Sequence, residues 1–154
     1  MTRYRTRRYL IRWLYAVAIF HCIVGALLPW VADAALFEGY HRSIETAFWQ
    51  AAAPGEARNL QTWWISLFGP TIQAMSLWMM ALIGLAARRS DARIWLWLIA
   101  GLAIWAPQDM LVSLRAGCWI HVWIDSIALI AMLPPLFWLH RHDAAHRSFR
   151  AERH

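Results

Sequence analysis

Charge is what this sequence has least of. Only 16% of its 154 residues are charged, while 60% are hydrophobic. Its mean hydropathy is +0.38. A soluble domain of this size would have to expose much of that apolar surface, so the composition argues against a soluble fold. Strict alternation of apolar and polar residues is also missing, which excludes a transmembrane β-barrel. Lysine is absent altogether: the 15 residues counted as Lys or Arg are all Arg. Cysteine is scarce. Cys22 and Cys118 form no CxxC pair, which argues against a thiol oxidase. Neither a G-x-S-x-G nor an H-E-x-x-H motif occurs, and no outer soluble domain is present to hold a substrate, so hydrolysis is disfavoured. Internal repeats and low-complexity tracts are missing too.

What is present is four long apolar runs, at 10–31, 63–85, 94–114 and 117–139. Each has the roughly twenty residues needed to cross a hydrocarbon core of about 30 Å. Backbone groups in lipid must pair internally, so each run is predicted to be a helix. Short connections between the later runs predict antiparallel neighbours. The expected fold is all-α, a four-transmembrane-helix up-down bundle in a single integral membrane domain covering residues 1–154.

The arginines give the orientation. Arg3, Arg5, Arg7, Arg8 and Arg12 precede the first run, and Arg88, Arg89 and Arg93 separate the second from the third. Arg141, Arg147, Arg150 and Arg153 follow the fourth, leaving Arg42, Arg58 and Arg115 on the other side. The positive-inside rule then puts both termini in the cytoplasm of a bacterial inner membrane. The net charge of +6 is explained by that topology and by anionic lipid, so nucleic acid is not the expected partner. The first run exceeds the usual 7–15-residue core of a signal peptide and carries His21, so an uncleaved helix is expected despite the Ala32-x-Ala34 site. Cys22 and Cys118 should differ in depth by about 10–15 Å, too far for a disulfide.

The loop 32–62 is predicted to carry an amphipathic helix in the outer interface. Tyr40, Ile44, Ala47, Phe48 and Ala51 are spaced for one apolar face, with His41, Arg42, Glu45 and Gln50 mostly off it. Pro54-Gly55 should end it. Trp13, Trp30, Trp49, Trp63, Trp64, Trp95, Trp119 and Trp138 fall near span ends, as interfacial anchors do. Trp78, Trp97, Trp105 and Trp123 lie deeper and are expected to pack the bundle. Residues 140–154 read as a frayed polar cytoplasmic tail.

The chemistry concentrates in polar groups inside the runs. Asp109 should lie about 8 Å outward of the midpoint of its helix, and Asp125 about 5 Å outward of its own. His121 precedes Asp125 by four residues, on the same face and one turn further out. Three ionisable side chains thus share one slab. Gln73, Gln108, His21 and Arg115 complete the set of ligand- or proton-handling candidates. Pro70 and Pro107 loosen the helices nearby. Asp109 and Asp125 repel, so a neighbouring imidazole suits a proton relay. Asp109, His121 and Asp125 are also donors that could suit a divalent metal, though without a diagnostic motif. The same three could simply be polar glue between helices. No cofactor is specified; a bis-His haem at His21 and His121 would need matched depths.

The runs LFGPTIQA and WAPQDMLVSLRAGCWIHVWIDSIALIAMLPPLFWLHRHD resemble a group of small uncharacterised four-span inner-membrane proteins of proteobacteria, some labelled "cell division protein". The resemblance implies a membrane bundle and carries over no functional residue. Three roles are compatible with the residues. One is a non-catalytic accessory component of an envelope complex, bound to lipid and to a membrane-protein partner or a second copy of itself. Another is a carrier or binder of protons, a metal ion or a lipid-soluble ligand. The third is an intramembrane enzyme, the least supported because no catalytic constellation is present.

Overall fold

The computed structural model describes residues 2–49 and 53–151. Its elements are α1 (Thr2–Val31), a 3-10 turn (Ala35–Phe37), α2 (Glu38–Trp49), α3 (Gly55–Arg89), α4 (Ala92–Arg115) and α5 (Trp119–Ala151). Gln50 and Ala51, expected to extend α2, lie outside the described residues. Four helices, α1, α3, α4 and α5, are long and apolar enough to cross a membrane. The protein is an all-α, multi-pass membrane bundle, as its apolar runs predict. The start of α1, the last turns of α5 and the α3–α4 turn share one end of it, here the terminal end. The opposite end, with α2 and the α4–α5 turn, is the loop end.

The helices overrun the predicted spans. α3 starts at Gly55 rather than 63, and α5 continues to Ala151 instead of fraying after 139. An apolar window marks where a helix enters lipid, but nothing in the flanking sequence stops the helix there. Real stops have local causes. Pro54 directly precedes the first turn of α3, where a missing N–H costs nothing. Ser90 ends α3 in the left-handed conformation, with φ 48°. Asp91 then caps α4 by accepting the Arg93 backbone N–H at 3.0 Å, a cap contributing about 1 kcal/mol. Gly117, with φ 74°, makes the tight α4–α5 turn in a conformation that L side chains disfavour.

α1 packs most extensively on α3, and α4 on α5; smaller contacts join these two pairs. The α1–α3 crossing is set by two glycines. A Cβ on Gly25 would stand 2.7 Å from the Gly69 carbonyl oxygen, and one on Gly69 would stand 2.6 Å from that of Gly25. Small residues let backbones touch, which is how helices associate where lipid removes the hydrophobic drive. Leu14, Ala18, Ile83, Ala86, Trp95 and Leu136 build the main core. A smaller cluster of Leu28, Ala32 and Ile65 lies near the loop end.

The tryptophans sort differently from their depths. Trp78, Trp97, Trp105 and Trp123, expected inside, are all exposed on the bundle surface. Trp95, expected to be an interfacial anchor, is 0% exposed. Lipid is as good a solvent as a core for an indole ring, so size alone drives none of them inward. Trp95 is buried for its N–H, which has a carboxylate to bond. Trp13 similarly donates its indole N–H to the Ala131 carbonyl at 2.8 Å. That carbonyl is the one Pro135, four residues on, cannot serve.

Candidate functional site

The described residues contain two deeply buried aspartates, Asp143 at 2% exposure and Asp125 at 3%. Their surroundings are opposite. Asp143 is saturated. Arg7 donates Nε to its Oδ1 at 2.9 Å and Nη2 to its Oδ2 at 3.0 Å. Trp95 Nε1 donates to Oδ2 at 2.9 Å, and His142 Nδ1 meets Oδ1 at 3.0 Å. Arg7 Nη2 also reaches the Ala87 carbonyl and Ser90 Oγ, each at 3.3 Å. The His142 ring stacks on Trp138, centroids 4.9 Å apart. One carboxylate thus ties α1, the end of α3, α4 and α5 together at the terminal end. A buried bidentate pair with every lone pair engaged is a structural fastening.

Asp125 is left open. Its Oδ2 is buried without a hydrogen-bond partner among the described residues. Asp109, on α4, lies within electrostatic range of it. One turn toward the loop end, His121 Nε2 is hydrogen-bonded to the hydroxyl of Tyr40 on α2. The two rings are 5.3 Å apart and tilted by 36°. Tyr40 feels both carboxylates: its phenol is pushed up to about 12, first by burial, then by Cys118, Asp109 and Asp125. It therefore stays a neutral donor near neutrality. Asp109, His121 and Asp125, grouped from the sequence by depth, do share one region, and Tyr40 joins them.

α2 holds that tyrosine in place through its own anchors. Arg58 of α3 donates Nη1 to Glu38 and Nε to Glu45, both at 2.6 Å, and Arg42 meets Glu38 at 2.7 Å. Arg58 and then Arg42 hold the Glu38 carboxyl down to about 2. Glu45 is also held below its usual range, chiefly by Arg58. His41, expected off the packed face, is instead 1% exposed. Its Nε2 donates to the Ala32 carbonyl at 2.8 Å, and its Nδ1 faces the Gln61 amide oxygen at 3.1 Å. Gln61 Nε2 is buried without a close hydrogen-bond partner among the described residues, though Gln61 helps to hold the Glu45 carboxyl down.

The other candidates lie elsewhere. Gln108 is exposed and donates Nε2 to the Ile104 carbonyl of its own helix at 2.8 Å. It is about 100° around the helix from Asp109, so the two cannot face the same way. Arg115 is exposed in the last turn of α4. His21 is half-buried, its Nδ1 bonded to the Val17 carbonyl at 2.8 Å. Gln73 packs at the α1–α3 crossing, against Gly25. Among the described residues, no hydrogen bond joins these four to Asp109, His121 or Asp125. Nor do any three His, Cys, Asp or Glu side chains among them converge as metal ligands. The triad considered for a divalent ion therefore does not meet that geometry. Both cysteines are free.

Sequence reasoning missed Tyr40, His41 and the whole Asp143 fastening. Asp143 carried a signal: Leu136 and Leu139 precede it by seven and four residues, so it continues their buried stripe. Tyr40 carried none, because its partner lies 81 residues away. The chain matches no protein-family model, no curated protein and no solved structure.

Proposed function

We propose that this is a multi-pass protein of the bacterial inner membrane, with both termini in the cytoplasm, that takes up a proton or a small cation at Asp125. The observation that carries the reading is the unpartnered Asp125 Oδ2, buried beside a second carboxylate. Intramembrane acids are expensive unless paired, neutralised or wet, and function is their default explanation. The same chain saturates its other buried aspartate with Arg7, Trp95 and His142. A merely structural Asp125 would be expected to have similar partners. A proton or small cation completes it instead. The neutral phenol of Tyr40 and the imidazole of His121 stand between this acid and the loop end, a short relay of donors and acceptors. No covalent chemistry is required.

The test is proton flux into vesicles containing the purified protein, followed with an internal pH dye under an imposed gradient. Wild type should exceed empty vesicles, and Asp125→Asn should lose the flux while folding at least as stably. An acid kept open for function usually costs stability, so its neutralisation should be neutral or stabilising. Absence of wild-type flux under proton, sodium and potassium gradients, together with a destabilised Asp125→Asn, would reject the reading. Native mass spectrometry then separates it from the accessory role: a stoichiometric membrane-protein partner would favour an envelope complex. Orientation is checked with a reporter fused after Glu56, which should lie outside.

A further inference from the structure

On the surface of the bundle, α1 and α5 leave an apolar groove of about 470 Å³. Tyr9, Leu10 and Trp13 form one wall; Ile127, Ile130 and Pro135 form the other. The Trp13 bond to the Ala131 carbonyl closes the floor. The groove thus offers little to hydrogen-bond and much to cover. Its mouth is the reverse. Arg5 on α1 and Arg141 on α5 are both exposed. The Arg7–Asp143 pair fixes the relative level of the two helices. Arg5 and Arg141 are each two residues from that pair, so both lie within about 3 Å of its level along their helices. Arg5, Tyr9 and Trp13 follow at four-residue intervals along one row of α1, so the guanidinium of this row leads into the groove. Trp13 is six residues from Arg7, placing the floor about 9 Å deeper.

We infer that this groove is a binding site for one anionic glycerophospholipid. Its phosphate sits between Arg5 and Arg141, and an acyl chain lies along Trp13, Ile130 and Pro135. Charge complementarity selects the headgroup, and the depth offset between arginines and apolar walls matches the order of phosphate and hydrocarbon in a lipid. Arg7 takes no part, since Asp143 holds it. The site is independent of Asp125, lies at the other end of the bundle, and stands whether or not protons move.

The experiment is native mass spectrometry of the full chain in mild detergent, titrated with phosphatidylglycerol or phosphatidylcholine. Wild type should retain one phosphatidylglycerol in preference to phosphatidylcholine. An arginine near anionic lipid contributes about fivefold in affinity, so Arg5→Gln with Arg141→Gln should weaken retention by about 25-fold. Arg88→Gln with Arg89→Gln removes the same charge from exposed positions at the end of α3, and should change retention by less than about twofold if the site is local. Ile130→Trp fills the groove while leaving every charge, and should also lose the lipid. Equal losses from the two arginine pairs would overturn the site in favour of diffuse electrostatics. Equal retention of phosphatidylcholine, or an unaffected Ile130→Trp, would overturn it as well.

Discussion

Tyr40 and His121, 81 residues apart, share the one side-chain hydrogen bond among the described residues that joins α2 to α5. The other side-chain tethers of α2 to another element, among the described residues, lead to α3 or to the Ala32 carbonyl. Tyr40→Phe keeps the ring and deletes the bond. It should lower stability by about 1 kcal/mol and speed amide exchange across Glu38–Trp49. Mass-spectrometric hydrogen exchange in detergent measures both the local opening and its extent. Unchanged exchange in α2 would mean the bond holds nothing.

The Arg7–Asp143 fastening should behave as a unit. Removing one member leaves the other charge buried, so Arg7→Met should cost about 3 kcal/mol or more. The double variant Arg7→Met with Asp143→Leu should be markedly less damaged than the sum of the single losses. Thermal unfolding of the four proteins gives the coupling energy directly. Additive losses would show that the pair is not coupled.

Gly69 should refuse even one methyl group. In Gly69→Ala the new carbon would face the Gly25 oxygen at 2.6 Å and the Pro29 ring at 2.6 Å. Overpacking against backbone costs about 1–3 kcal/mol, and α1 would have to move off α3. Gly101 has open space around it, so Gly101→Ala is the matched control and should be neutral or slightly stabilising. Denaturant titration of both variants compares them.

Trp13 and Pro135 are predicted to be coupled. Trp13→Phe should cost about 1 kcal/mol, because the Ala131 carbonyl loses the indole N–H that replaces its missing helical donor. In a Pro135→Ala background the helix can supply its own N–H to that carbonyl. The same Trp13→Phe change should then cost much less. A double-mutant cycle on unfolding free energies reads the difference, and a coupling near zero would refute it.

Acid should detach α2 over a defined range. The Glu38 carboxyl is held down to about 2 from an ordinary 4.5, first by Arg58 and then by Arg42. A carboxyl depressed in the folded state contributes stability above its unfolded pKa and loses it as pH falls through its folded value. The attachment of α2 to α3 should therefore be constant above about pH 5, then weaken progressively toward pH 2. Glu45 is shifted the same way and adds to the trend. These groups are solvated, so salt should weaken the attachment even at neutral pH. A pair of spin labels at Thr46 and Leu60 would report the distance.

Apolar run length revealed the four crossings, because lipid imposes a minimum span that few other structures need. It did not reveal where helices stop, since helical hydrogen bonding continues past the bilayer until a turn such as Ser90-Asp91 or Gly117 intervenes. Helical spacing and depth brought Asp109, His121 and Asp125 into one region. Depth says nothing of azimuth, which is why Gln108 was grouped with Asp109 and why four deep tryptophans proved to face outward. The contrast between Asp125 and Asp143 was invisible, because it rests on partners from distant helices.

α3 is 35 residues long, about 52 Å, against a hydrocarbon core of roughly 30 Å. Several turns of it must stand clear of the lipid or tilt strongly within it. α2 is riveted to its Glu56–Gln61 stretch through Arg58, yet among the described residues its one side-chain hydrogen bond to α5 is made by a single phenol. A thinner or thicker bilayer tilts long helices to keep their apolar belts covered. Any such tilt that differs between α3 and α5 acts as a lever, and the lever's short arm is the bond above Asp125. A change in bilayer thickness should therefore load the Tyr40–His121 bond first.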